Sequence, residues 1–262
     1  MKRYGILIMI LFWAGMLTAQ VSGLPYKDGE SLTYAMNYKW GSVDTDVGEA
    51  VTLLSYKNGL FHSVIRGKTY KFYDMFFKVR EHFESKFTDY PIRPSYFYRD
   101  SQEGKYRMRN TFYFNDPDYK IKAKIQKYED PVKDTILLGS VHTYDLVSLF
   151  YRVRNINFDS IPAGAEQPIS FVIDKNVYNF YFIYKGKEEK KIKGLGTFRT
   201  LRFSVKLVAG SVFTGKEEMT IWVTDDGNKI PLLFESPIIV GRVSGRLVKW
   251  SNLKYPLTSK IK

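Results

Sequence analysis

From Glu30 to Trp40 the chain alternates. Leu32, Tyr34, Met36, Tyr38 and Trp40 share one face of a period-two pattern, and Thr33, Ala35, Asn37 and Lys39 share the other. Strands are expected next over 47–56 and 60–69, joined at Lys57-Asn58-Gly59. Asn-Gly is the pair that a type I′ hairpin turn favours, with left-handed φ at both central positions. The same reading predicts strands over 81–88, 96–99, 106–114 and 120–127, with Pro91 and Pro94 framing a turn. In the last of these, Ile121, Ala123 and Ile125 alternate with lysines, as in an antiparallel sheet with one wet side. Two strands flank Asp174-Lys175-Asn176 within 169–184. There Phe180, Phe182 and Tyr184 alternate with Tyr181 and Ile183, so both faces are apolar and the strand is deeply buried or lines a cavity. Strands over 197–208 and 212–224 lead into a closing hairpin, in which Asp225-Asp226-Gly227-Asn228 stops Ile221-Trp222-Val223. Pro231 enters the next apolar run and Pro237 ends it.

Two stretches depart from alternation. Residues 70–79 (YKFYDMFFKV) suit a strand or one to two helical turns. Residues 141–155 suit a helix: Thr143 is placed to cap it, Asp145 falls in its first turn, and Leu146, Leu149, Phe150 and Val153 form an apolar stripe. Arg152 and Arg154 fall in the last turn, where cations complement the helix dipole. Either arginine is a candidate for a buried ion pair or for an anion site. The fold expected is mainly β: a curved antiparallel sheet or open barrel with one packed helix, in a single domain over 24–262.

The chain has 262 residues, 44% of them hydrophobic, which suffices for a sizeable core. The 20 Tyr and 19 Phe fit the β reading. The formal charge of +13 changes the picture less than its size suggests. Lys185, Lys187, Lys190, Lys191 and Lys193 sit where lysines blunt an exposed strand edge. No basic helical stripe or zinc spacing accompanies the charge, so nucleic acid is not expected as a partner. A basic face toward anionic lipid, and hence peripheral membrane association, stays open. The chain has no Cys, which excludes disulfides, thiol catalysis and a lipidated cysteine.

Residues 1–23 read as a signal peptide. Lys2 and Arg3 precede an apolar run from Gly5 to Leu17, and Thr18-Ala19-Gln20 supplies a cleavage context. Cleavage after Ala19 and cleavage after Gly23 are both compatible, and an uncleaved anchor is the alternative.

Several pieces together resemble a known family. Gly29-Glu30 precedes a Tyr-rich first strand ending Trp40-Gly41, and Gly48 leads the second strand. The helix reads Asp145-Leu146-Val147-Ser148-Leu149-Phe150-Tyr151-Arg152, followed by residues 194–198 and by Ile221-Trp222-Val223-Thr224-Asp225-Asp226 with Pro231 and Gly241. This pattern resembles the exported bacterial family called domain of unknown function 3108. The resemblance implies a secreted or periplasmic all-β protein of Gram-negative bacteria. It implies no catalytic residue and no cofactor.

The residues themselves nominate sites sparingly. His62, His82 and His142 are scattered and suggest no metal spacing. Asp225, Asp226 and Asn228 read as turn residues and not as a calcium site, which needs several oxygen ligands from one loop. Asp74, Glu81 and Glu84 would be the carboxylates of a glycosidase-like pair. Trp222 is expected in the core. Tyr34, Tyr38, Trp40 and Tyr181, with Arg152, are the candidate ligand-binding residues, lining a concave aromatic face. The expected function is a non-catalytic envelope protein binding an apolar or amphiphilic molecule, such as a lipid or lipoprotein, or a glycan. A glycan hydrolase and an assembly partner of an outer-membrane complex are the alternatives.

Overall fold

The computed structural model describes residues 23–114, 117–207, 219–238 and 240–262. The expected signal peptide lies outside them up to residue 22, as does the first part of the strand expected over 212–224. The N-terminal half is a meander: β1 (Ser31–Trp40), β2 (Val43–Lys57), β3 (Leu60–Thr69), a short helix α1 (Lys71–Asp74), β4 (Val79–Thr88), β5 (Pro94–Glu103), β6 (Tyr106–Tyr113), β7 (Lys120–Lys127) and β8 (Lys133–Leu138). A two-residue strand β9 (Thr143–Tyr144) leads into helix α2 (Leu146–Arg154). The second half adds β10 (Glu166–Ile173), β11 (Asn176–Ile192) and β12 (Gly196–Leu207). It ends with β13 (Met219–Thr224), β14 (Pro231–Pro237) and β15 (Arg242–Ser251). At the β2–β3 turn Asn58 and Gly59 have φ of 53° and 78°, as the Asn-Gly signal requires.

All the strands join one 15-stranded sheet, in the order β8-β7-β6-β5-β4-β3-β2-β1-β15-β14-β13-β12-β11-β10-β9. The first and last strands therefore meet mid-sheet, where β1 pairs with β15. The sheet curls into an open barrel, and β8 approaches β11 without pairing to it. Beyond Ile183, β11 keeps β12 as its neighbour but leaves β10 behind. The lysine-rich stretch from Lys185 thus lies on a sheet edge.

Helix α2 fills the inside of the curl, between β3 and β4 on one side and β9 and β10 on the other. Its Val147 and Tyr151 join a core with Phe61, Phe87, Phe97 and Phe112 from the first half and Phe180, Phe182 and Phe203 from the second. Phe182 stacks on Phe203 at 4.6 Å, and Tyr151 meets Tyr26 edge-on at 4.8 Å. A second cluster gathers Leu32, Tyr34, Ile192, Phe198, Ile230, Leu232 and Leu247. These aromatic rings fill the concave face, while others, among them Phe72, Phe76 and Phe77, stand exposed. Burial of Phe180, Phe182, Ile183 and Tyr184 accounts for the two apolar faces of that strand.

Polar pins hold the helix at both ends. Asp145, not Thr143, is the cap: its carboxylate accepts from Val147 N (2.8 Å), Ser148 N (2.9 Å), Ser148 Oγ and Ser85 Oγ (both 2.8 Å). Thr143 is used instead in β9, where its Oγ1 lies 2.7 Å from Ser170 Oγ. Burial pushes the Asp145 carboxyl up to about 6, and these donors pull it back. At the other end Arg154 forms a two-pronged pair with Glu30, at 2.6 and 2.9 Å. The most buried helical face is Val147, Ser148, Tyr151 and Arg154. That differs from the stripe expected from apolarity, in which Leu146 is in fact exposed. The deepest contacts of α2 are hydrogen bonds and an ion pair, which a hydrophobic stripe does not register.

Candidate functional site

With the inside filled by α2 and the aromatic core, the surface depressions lie outside it. Trp40, Tyr38, Tyr34, Tyr181 and Arg152 do not converge. Tyr34 is buried, and its hydroxyl donates to Pro231 O at 3.0 Å. Tyr38 donates to Val240 O at 3.0 Å, tying the β1–β2 turn to the β14–β15 turn. Trp40 is exposed beside Lys39, Gly241 and Arg242 in a shallow surface dip. Tyr181 is half-buried between Pro168 and Lys206, and Arg152 Nε donates to Tyr144 Oη at 3.3 Å.

The more substantial depression, about 490 Å³, crosses β2 to β6. Side chains directly across antiparallel strands share a face. Val51, Arg66, His82 and Asp100 form one such row, and Glu49, Lys68, Arg80 and Gln102 another. Leu53 and Val64 continue the apolar strip, with Leu53 half open to water. Phe61, Phe87 and Phe97 are core residues on β3 to β5, one step out of phase, so the groove lies on the sheet's outer side. Most of its charges have partners: Lys68 with Glu49 at 3.0 Å, Arg80 with Asp74 at 2.5 Å, Arg107 with Asp100 at 2.9 Å. Arg66 has no carboxylate partner among the described residues. The groove thus offers an apolar strip, one uncommitted guanidinium and a surrounding charge lattice. No spacing along the sequence could announce this, because each row is assembled by register across four strands.

Glu81 belongs to the groove and also to a buried polar cluster behind it. Ser101 Oγ donates to Glu81 Oε1 at 2.5 Å. Arg99 donates to Ser101 Oγ at 3.1 Å and to Asp174 Oδ1 at 2.9 Å, and Asn110 reaches the same Asp174 oxygen at 3.0 Å. Burial pushes the Glu81 carboxyl up to about 7, against the pull of Ser101 and Arg99. Glu81 Oε2, Arg99 Nε and Asn110 Oδ1 are buried without a hydrogen-bond partner. The carboxylates proposed for glycosidase-like work are kept apart. Glu81 faces Ser101, Glu84 accepts from His62 Nε2 at 2.9 Å, and Asp74 holds Arg80.

Two of the histidines are closer neighbours than the sequence indicates, since His62 and His82 both flank Glu84, at 2.9 and 3.9 Å. Among the described residues no group of three His, Asp or Glu side chains could hold a metal ion. Asp226 serves the closing turn: its carboxylate accepts from Thr224 Oγ1, Asn228 N and Ser259 Oγ. Trp222 is 6% exposed, but much of its cover is polar. Its indole N–H donates to Glu188 at 2.5 Å and Lys190 lies 3.7 Å from the ring centre.

The model of a family of proteins of unknown function, DUF3108, matches residues 33–248. The chain belongs to the DUF3108 family. Among solved structures, this DUF3108 chain is similar to a beta-barrel-like protein of domain of unknown function DUF1849 from Brucella abortus. The TM-score is 0.58 at 9% identity, over 86% of this chain and 98% of that one. At that identity the likeness concerns the fold alone. No curated protein matches the DUF3108 chain in sequence. Within the matched span, Asp145 and Ser148 lock the start of the helix and Asp226 locks the closing hairpin.

Proposed function

We propose that this DUF3108 chain is a non-catalytic protein of the Gram-negative cell envelope that binds an anionic amphiphile in the outer groove of β2 to β6. Val51, Leu53 and Val64 take the apolar part, and Arg66 takes the anionic group. The supporting observation is the apolar strip beside an Arg66 with no carboxylate partner among the described residues, on a sheet whose inner face carries the aromatic core. Export rests on the N-terminal pattern of Lys2, Arg3 and the apolar run after them. Leu24, Pro25 and Tyr26 are buried against the core, so a leader would have to end before Leu24. Cleavage after Ala19 or after Gly23 satisfies that.

The test is native mass spectrometry of the chain purified from its own envelope, beside Arg66→Glu and Leu53→Lys. The proposal expects a co-purifying anionic amphiphile on the native chain and its loss from both variants. A ligand-free native chain, or a neutral glycan in its place, would overturn it. A second reading, assembly through strand addition, has one observation in its favour. Strand β8 ends the sheet with Ile136 and Leu138 exposed.

A further inference from the structure

A different part of the surface carries a separate inference. Among the turns that the strand register brings to one end of the sheet, four form one neighbouring group. Trp40 pairs with Val43, Lys39 with Arg242, Lys68 with Arg80, and Val79 with Glu103. The β1–β2, β3–β4, β5–β6 and β14–β15 turns therefore project together.

Their tips are apolar and open to water. Phe76 is 74% exposed, Met75 73%, Phe72 61% and Phe77 55% on the β3–β4 turn, and Trp40 is 58% exposed on the neighbouring one. Val240 adds a further exposed side chain. A patch of this kind on a soluble surface marks an interaction site.

The tips are braced. Asp74 binds Arg80 and accepts from Thr69 Oγ1 at 2.5 Å, and Tyr73 Oη lies 2.7 Å from Thr45 Oγ1. Gly104 N donates to Lys78 O at 2.7 Å, joining the β3–β4 and β5–β6 turns. Gly241 has a φ of 88°, and a Cβ there would stand 2.3 Å from Lys39 O, so only glycine lets those two turns meet. The apolar groups are thus presented on a held rim.

We infer that this rim is a bilayer-docking surface, in which Phe72, Met75, Phe76 and Trp40 enter the headgroup boundary of a membrane containing anionic lipid. Charge argues for lipid. The acids Asp44, Asp74 and Glu103 on these turns are paired with Lys39, Arg80 and Arg99, at 3.6, 2.5 and 3.6 Å. Lys71 and Lys78 flank the aromatic tip and make no ion pair among the described residues. They are left to meet anionic headgroups. Shape argues the same way. Separate projecting tips enter a deformable medium independently, whereas a folded partner would need a recess for each. Aromatic residues bordered by lysines are the side chains that favour a membrane interface.

The test is flotation of the full chain with vesicles of phosphatidylethanolamine and phosphatidylglycerol. Three proteins are compared: native, the double variant Phe72→Ser with Phe76→Ser, and Leu138→Ser. Leu138 is as exposed as Phe76 but lies at the opposite end of the sheet. The native chain and Leu138→Ser are expected to float equally. The double variant should bind about tenfold or more weakly with an unchanged melting curve, since two exposed rings lose their burial in lipid. A native chain that stays at the bottom of the gradient, or a double variant that floats like native, would overturn the inference.

Discussion

Arg154→Met should be among the most damaging single substitutions in the chain. The Arg154 and Glu30 side chains are both 0% exposed and pair at 2.6 and 2.9 Å. The guanidinium also donates to Asn228 O at 3.0 Å, and it lies over the rings of Tyr26, Phe150 and Tyr151 at 5.2 to 5.7 Å. It therefore ties α2 to the start of β1 and to the β13–β14 turn. Methionine fills much of the volume but leaves the Glu30 carboxylate buried without its counter-ion. Breaking a buried pair in this way costs about 3–5 kcal/mol, and the orphaned Asn228 carbonyl adds about 1 kcal/mol. Against a total stability of about 5–15 kcal/mol, the loss should lower the melting temperature by roughly 10–15 °C. The assay is urea and thermal unfolding followed by circular dichroism, with Glu30→Leu combined with Arg154→Met as the second arm. Removing both charges should restore most of the lost stability, because no buried ion is then left alone. A single variant within about 1 kcal/mol of native, or a double variant no better than the single, would refute the reasoning.

Two further predictions concern stability. Trp222→Ala should cost about 3–4 kcal/mol in urea unfolding, through lost packing and the lost hydrogen bond to Glu188; an unchanged midpoint would count against it. Glu81 titrates from 4.5 in the unfolded chain to about 7 in the fold, so its contribution is full below about 4.5 and is lost as the pH rises toward 7. Glu81→Gln should flatten that fall and leave the variant about 1–2 kcal/mol more stable than native at alkaline pH, the raw shift being discounted for partial exposure. Identical pH profiles for the two proteins would dismiss this assignment.

Strands were legible where a strand has one wet and one dry face. Leu32 and Tyr34 announce β1, and Asn58-Gly59 announces its hairpin, because those signals are local. The helix is legible, but its cap lies two residues beyond Thr143, since both Thr143 and Asp145 qualify by type and only β9 shows which is occupied. Its anchor was not legible: Glu30 and Arg154 are 124 residues apart. The direction in which the apolar faces point does not reveal what covers them. An aromatic-lined hollow and an aromatic-filled interior have the same alternation, and α2 decides between them. Residues 70–79 suit a strand or one to two helical turns, and the structure forms the helical turn α1, with Phe72, Met75, Phe76 and Phe77 in solvent. The groove was invisible because Val51, Arg66 and His82 meet through pairing register.

That recognition happens outside the curl, not within it, is tested most directly by photo-crosslinking with a long-chain fatty acid carrying a diazirine near its methyl end. Labelled peptides should contain Val51, Leu53 or Val64 on the outer strip, and Arg66→Glu should abolish the labelling. Labelling centred on Tyr151, Phe180 and Phe182 would contradict the account, because those side chains reach a ligand only if the interior opens.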